Sequence, residues 1–115
     1  MDFEKLTIGQ LKELQQLVAG GQPAQRFALP TGSNVVLRTV TMIIVGELVE
    51  AGPQELVLKD AAWVADTRRW ADFLRDGALD DSVEVEPYPD GLVLVGRGAL
   101  VDACAWGHGL LRQQR

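Results

Sequence analysis

The sequence predicts a mainly β (α+β) fold: a small, strongly bent antiparallel β-barrel with an N-terminal amphipathic helix and a short inserted helix. β-branched residues are concentrated from residue 35 onward, and short strand-like runs are separated by tight turns. Strands and helices do not alternate as they do in a parallel α/β sheet. At 115 residues the chain is predicted to be one domain, with a helix over 7–19, a loop over 20–34, the barrel over 35–106 and a tail over 107–115.

The N-terminal helix is predicted from its end signals and from the spacing of its apolar residues. Thr7 and Gln10 form a capping box, and leucines at positions 11, 14 and 17 recur at helical spacing. Gly20 and Gly21 can adopt the positive φ that ends a helix. The loop that follows is rich in Gly, Pro, Ser and Asn.

The barrel segment is predicted to begin with one long strand, VVLRTVTMIIVGELVE, bent near Thr39 to Thr41. AGPQ turns the chain into ELVLKDAAWVA, the second strand of a hairpin. Asp66 is the predicted N-cap of a short helix over 67–76, which Gly77 ends. SVEVE, LVLV and ALVDACAW are the last predicted strands, and GRG is the break between the final two.

Composition narrows the classes of function. The formal net charge of −5 disfavours tight binding to long nucleic acids, since such proteins gain affinity by neutralising phosphates. With a single cysteine and a single histidine the chain has no internal disulfide, and a zinc site is not expected. No apolar run reaches membrane-spanning length and no signal sequence is recognisable, so we predict a cytoplasmic protein. We also predict that it holds no cofactor.

Two stretches resemble the motifs of the Sm-like family. GELVEAGPQELVLKDAAW is similar to the first Sm motif, and DGLVLVGRGALVDA resembles the second, with Arg97 and Gly98 at the Arg-Gly step. The resemblance implies an N-terminal helix on a five-stranded bent sheet, a ring of identical subunits and RNA binding near the pore. The chain also resembles small proteins of phage and prophage genomes, through LTIGQLKELQQL, RTVTMIIVGELV, DAAWVAD and EPYPDGLVLVGRGALVDA.

The stretch VLVGRGALV places Arg97 between Gly96 and Gly98 in an otherwise apolar run. The glycines would let the backbone turn sharply and a ligand approach closely, and Gly98 is expected to adopt a positive φ. A guanidinium offers a planar fork to a phosphate or carboxylate. The alternative is a hairpin corner with a solvated arginine, and the residues alone leave both interpretations open.

A second candidate is the set of arginines and indoles around the short helix. Arg68 and Arg69 lie close in sequence to Trp63 and Trp70, and indoles with arginines can hold a nucleotide by stacking and phosphate pairing. The simpler interpretation is that Trp70 packs in the core. The full set of ligand-binding candidates is Arg97, Gly96, Gly98, Trp63, Arg68, Arg69, Trp106 and His108.

Cys104, Asp102 and His108 do not form a convincing catalytic arrangement, so we do not predict an enzyme. The leading hypothesis is a non-enzymatic homo-oligomer, expected as a ring rather than a monomer, that holds a small anionic, nucleotide-like ligand. In the version that the phage resemblance suggests, the protein sequesters a host immune nucleotide signal. The alternatives are an Sm-like RNA-binding ring, disfavoured by the acidic charge and the lack of the motif's Asp and Asn pair, and an assembly protein without a ligand.

Overall fold

A computed structural model describes the chain from Phe27 to Arg115, so the predicted helix over 7–19 and the first part of the predicted loop lie outside the described residues. The elements in chain order are β1 (Asn34–Thr39), β2 (Ile43–Ala51), β3 (Glu55–Asp66), α1 (Trp70–Asp76), β4 (Glu84–Pro87), β5 (Leu92–Gly96), a 3-10 turn (Arg97–Ala99) and β6 (Leu100–Ala105). No helix within this range is long and apolar enough to cross a membrane.

The predicted long first strand is two strands joined by a tight turn. The N–H of Thr39 donates to the carbonyl of Met42 at 2.8 Å, and the Thr39 hydroxyl accepts the N–H of Met42 at 2.9 Å. These bonds reverse the chain where the sequence predicted only a bend, because a threonine side chain can cap the turn. β1 and β2 therefore pair antiparallel.

The strands form one antiparallel sheet in the order β4-β3-β2-β1-β6, and β5 also pairs with β3. β3 is long enough to pair twice along the same edge, with β5 through its first half and with β4 through its second. The sheet does not close on itself. The prediction of a mainly β, antiparallel fold with a short inserted helix is confirmed, and the barrel is not.

A β-bulge divides β3 between these two halves. Opposite Gly46, β3 contains one residue more than β2, and Asp60 has a φ of +50°, which aspartate tolerates better than most residues. The bulge brings Ala61 against the neighbouring strand: a Cβ added to Gly46 would lie 3.0 Å from the Ala61 Cβ. Glycine at position 46 is therefore required by close approach.

Both faces of the sheet are apolar. The core of the first, here called the bend face, consists of Val35, Leu37, Ile44, Leu48, Leu56, Leu58, Ala61 and Val95. The core of the second, here called the helix face because α1 covers it, consists of Val36, Val45, Ala62, Val64, Phe73, Val83, Val85 and Trp106. The alternation of neighbouring residues between the two cores is the period of two that a strand imposes.

The bulge changes which residues of β3 face which core. Before it, Leu56 and Leu58 lie in the bend-face core; after it, Ala62 and Val64 lie in the helix-face core. An extra residue in a strand exchanges the two faces for everything that follows. Trp63 consequently projects away from the helix face.

The segment after β6, residues 107–115, crosses the helix face and ends at the far edge of the sheet. Arg115 and Val85 exchange two backbone hydrogen bonds, of 3.0 and 2.9 Å. The Arg112 guanidinium donates to the carbonyls of Ala61 at 2.7 Å and Tyr88 at 2.9 Å. The predicted tail thus covers the outer edge of β4.

Candidate functional site

Arg97 connects the turn between β5 and β6 to the turn between β2 and β3. Its Nε donates to the carbonyl of Gly52 at 2.8 Å, and its backbone N–H donates to the carbonyl of Gln54 at 2.9 Å. The guanidinium carbon also lies 5.6 Å from the centroid of the Phe27 ring, within cation–π range. These contacts hold two turns together, and the side chain is half-buried.

The two glycines beside Arg97 are exposed, and their surroundings are open. A Cβ added to Gly96 or Gly98 would meet no atom within 4 Å, and neither residue has a positive φ. The expectation that Gly98 needs a positive φ is therefore wrong, because the 3-10 turn reverses the chain within ordinary backbone geometry. The open space permits a close approach from outside.

Trp63 is 38% exposed, whereas Trp106 is 4% exposed. Trp63 and the β1–β2 turn together line a cavity of about 310 Å³. This cavity, here called the Trp63 groove, is lined by Arg38, Thr39, Val40, Thr41, Met42, Ile43, Trp63, Val64 and Ala65.

Arg38 is a functional candidate that the sequence reasoning missed. Its Nε donates to Oδ1 of Asp102 at 2.8 Å, and its Nη2 also contacts the second oxygen of that carboxylate. The guanidinium carbon lies 4.6 Å from the centroid of the Trp70 ring. The signal was present as an arginine within the apolar run VVLRTV, but its partner is distant in sequence.

Two groups at this position, Asp102 and Cys104, have pKa values shifted from their ordinary values. The hydrogen bond from Arg38 lowers the pKa of Asp102 below its ordinary value. Burial, and then the charge of Asp102, raise the pKa of the Cys104 thiol. A raised thiol pKa reduces the thiolate population, the reverse of what activates a nucleophilic cysteine.

Arg68 lies in a second cavity, of about 330 Å³, beside α1. Its φ is +63°, and its N–H donates to Oδ1 of Asp66 at 2.8 Å. The same lining contains three aspartates, Asp72, Asp76 and Asp80. Carboxylates therefore outnumber the single arginine in this cavity.

The short helix begins later than predicted. The N-cap of α1 is Arg69, which is exposed and makes no side-chain cap bond. The predicted N-cap, Asp66, is the last residue of β3 and accepts the N–H of Arg68 within a local turn. Arg68 and Arg69 thus occupy the connection between β3 and α1.

Trp106 and His108 pack against the helix. The Trp106 ring lies 4.8 Å from the Phe73 ring and 4.8 Å from the His108 ring, and its Nε1 donates to the carbonyl of Gly109 at 2.9 Å. His108 Nε2 lies 2.9 Å from the carbonyl of Leu74. Their contacts are those of core residues.

The predicted site residues are thus distributed over several places. Gly96, Arg97 and Gly98 form one corner of the sheet, and Trp63 lines its groove. Arg68 lines the cavity beside α1. Trp106 lies in the helix-face core, and the His108 ring packs against it. Among residues 27–115 no group of three or more His, Cys, Asp and Glu side chains is placed to hold a metal ion.

No protein-family model matches the chain, and no curated protein or solved structure matches it either. The resemblance to Sm-like proteins therefore stays a prediction from two motifs.

Proposed function

We propose that the protein is a non-enzymatic binding module that works as a homo-oligomer and holds a small anionic, nucleotide-like ligand. The observation that carries the oligomeric part of the proposal is the exposure of large apolar side chains on the two outer strands. Leu92 and Leu94 on β5 are 62% and 59% exposed, and Val101 on β6 is 59% exposed. Apolar residues clustered along strand edges are typical of interaction surfaces.

Self-association would use the edges of β5 and β6. Within residues 27–115 each of these strands pairs along one edge only, β5 with β3 and β6 with β1. A free edge presents unpaired N–H and C=O groups to another chain. Pairing β5 of one copy with β6 of the next is a head-to-tail contact, which forms a ring when the rotation between copies closes.

The ligand is proposed to bind near Arg97. This residue lies in the turn that joins β5 to β6, so an oligomer built through these edges would place it near each subunit junction. The open space at Gly96 and Gly98 supports close approach by a ligand. The net charge of −5 favours a small anion over a long one. Sequestration of a host nucleotide signal is the version that the phage resemblance suggests.

A second candidate function is assembly without any ligand. The donors of several arginines are already used within the chain: Arg97 binds Gly52, Arg38 binds Asp102 and Arg68 pairs with Asp66. Guanidinium groups used in this way hold turns and strands in place. The exposed leucines of β5 serve this candidate equally well.

Native mass spectrometry of wild type, Leu94→Glu and Leu79→Glu tests the oligomer. Leu79 is a matched control because it is 79% exposed and lies outside β5 and β6. We expect wild type and Leu79→Glu to be oligomeric and Leu94→Glu to be a monomer, because a charge on the edge strand opposes pairing. A monomeric wild type at micromolar concentration would contradict the proposal.

Thermal shift with linear and cyclic nucleotides and short oligo-uridine tests the ligand. A response to small nucleotides that is lost in Arg97→Ala supports the proposal. A response to oligo-uridine alone supports the Sm-like alternative, and no response from an intact oligomer supports assembly without a ligand.

A further inference from the structure

One face of β5 carries apolar side chains that the described chain leaves uncovered. Leu92 and Leu94 are 62% and 59% exposed. Val93 and Val95, which alternate with them, pack in or against the bend-face core, so the two leucines project from the opposite face of the strand. Leu92 and Leu94 together form an exposed apolar surface, here called the β5 patch, of the kind that marks a contact site.

β3 continues the β5 patch and gives it a polar border. Val57 is the direct cross-strand partner of Leu94, and Lys59 is the partner of Leu92. Such partners project to the same face of a sheet. Val57 is buried, whereas the Lys59 Nζ lies 3.9 Å from a carboxylate oxygen of Glu47. The patch is therefore a narrow apolar surface that ends at an ion pair.

The part of the chain outside the described residues joins the structure beside the β5 patch. The Phe27 ring centroid lies 5.6 Å from the guanidinium carbon of Arg97, and Arg97 directly follows β5. Leu94 lies three residues before Arg97, about 10 Å along the strand. Residues 1–26 therefore connect to the fold at the end of the strand that carries the patch.

The sequence of that segment contains a matching apolar surface. The helix predicted over 7–19 has Leu11, Leu14 and Leu17 at helical spacing, so they share one side of it. The connection from residue 19 to residue 27 can span up to about 26–29 Å when extended. That length is sufficient to pass from Phe27 around the edge of β5 to its outer face.

We propose that residues 7–19 pack their leucine side on the β5 patch of the same chain. The contact would remove the leucines of both surfaces from water, and packing of an apolar side is what stabilises most helices in proteins. It uses side chains on the face of β5, whereas the pairing proposed between copies uses the backbone at its edge. The two contacts are compatible, and the inference goes beyond the proposed function.

Thiol alkylation of the full chain tests the inference in a Cys104→Ser background, which removes the single native cysteine. Leu94→Cys reports on the β5 patch, and Leu79→Cys is the open reference because Leu79 is 79% exposed and lies outside the strands. We expect Leu94→Cys to react about tenfold more slowly than Leu79→Cys, since a covered thiol reacts only after local opening. Equal rates would overturn the proposal.

Leu14→Asp, added to Leu94→Cys, should raise the alkylation rate to that of Leu79→Cys, because a charge on the apolar side of the segment opposes its burial. Gln15→Asp is the matched control. It adds the same charge on the outward side of the predicted helix, and we expect it to leave the rate of Leu94→Cys unchanged. A rate that Leu14→Asp does not alter would overturn the proposal.

Val101→Cys separates this contact from the contact between copies, because Val101 lies on β6, the other strand proposed to pair between subunits. We expect Leu14→Asp to leave the rate of Val101→Cys unchanged. If Leu14→Asp accelerated Val101→Cys and Leu94→Cys alike, the protection would come from the contact between copies and the proposal would be overturned. A monomeric protein in which Leu94→Cys stays protected would contradict the proposed oligomer and support this inference.

Discussion

Trp106 and Trp63 belong to opposite faces of one sheet and differ in how deeply their indoles are buried. Trp106 is 4% exposed and packs between Phe73 and His108 on the helix face. Trp63 is 38% exposed, projects away from the helix face and lines the groove beside the β1–β2 turn. Both follow an alanine in a strand-like run, so residue type and local pattern do not distinguish them.

The difference arises from what covers each face. α1 and residues 107–115 lie over the helix face and bury Trp106. The bulge at Asp60 turns Trp63 to the opposite side, at a point where β5 no longer pairs with β3. Burial therefore depends on an inserted helix, a returning C-terminal segment and a single extra residue.

The largest effect that we expect comes from removing the buried indole. Trp106→Ala should lower the free energy of unfolding by about 3–5 kcal/mol, because it leaves a cavity between Phe73 and His108. Trp63→Ala should cost about 1 kcal/mol, the average for a point substitution. Urea denaturation measures the free energy of unfolding of both variants. Similar decreases for Trp106→Ala and Trp63→Ala would contradict the difference in burial between the two indoles.

The bulge itself provides the next largest effect. Gly46→Ala should cost about 1–3 kcal/mol, because the added Cβ would lie 3.0 Å from the Ala61 Cβ and 3.2 Å from its Cα. Gly96→Ala is the matched control, since its Cβ would meet nothing within 4 Å, and it should stay within about 0.5 kcal/mol of wild type. A neutral Gly46→Ala, measured in urea, would show that β3 can shift away from β2.

A smaller effect is expected at the corner that Arg97 holds. Arg97→Ala removes the bond to the Gly52 carbonyl and the contact with the Phe27 ring, and it should cost about 1–2 kcal/mol. The measurement is the denaturation midpoint in the absence of any ligand. A change of only a few tenths would mean that the contact with Gly52 contributes little to the stability of the fold.

The smallest effect is a pH dependence on the helix face. Because the hydrogen bond from Arg38 lowers the pKa of Asp102 in the folded chain, the pair stabilises the fold above the ordinary pKa of aspartate. That contribution is lost as the pH falls through the lowered value. The difference in melting temperature between wild type and Asp102→Asn should therefore shrink on acidification and in high salt. If the difference in melting temperature between wild type and Asp102→Asn depended on neither pH nor salt, the stabilisation would come from packing and not from the ion pair.

Elements whose signals lie within a few residues of one another in the sequence could be predicted. The hairpin through AGPQ, the short helix before Gly77 and the break at GRG all appear where their local signals place them. The start of the short helix could not be predicted to the residue. Asp66 has the side chain of an N-cap, but it is the last residue of β3. Its carboxylate accepts the N–H of Arg68 in a local turn. A side chain that can cap either a turn or a helix does not by itself choose between them.

The sequence by itself determined a mainly antiparallel β chain with a short inserted helix, because turn residues and alternating apolar residues act over a few positions. Only the tertiary structure decided which residues are buried and which are available. Arg38 meets Asp102 across 64 positions, Arg97 meets Gly52 across 45, and the predicted ligand residue Trp106 lies in the core. Such contacts depend on strand register, which one bulged residue can invert and which no local pattern records.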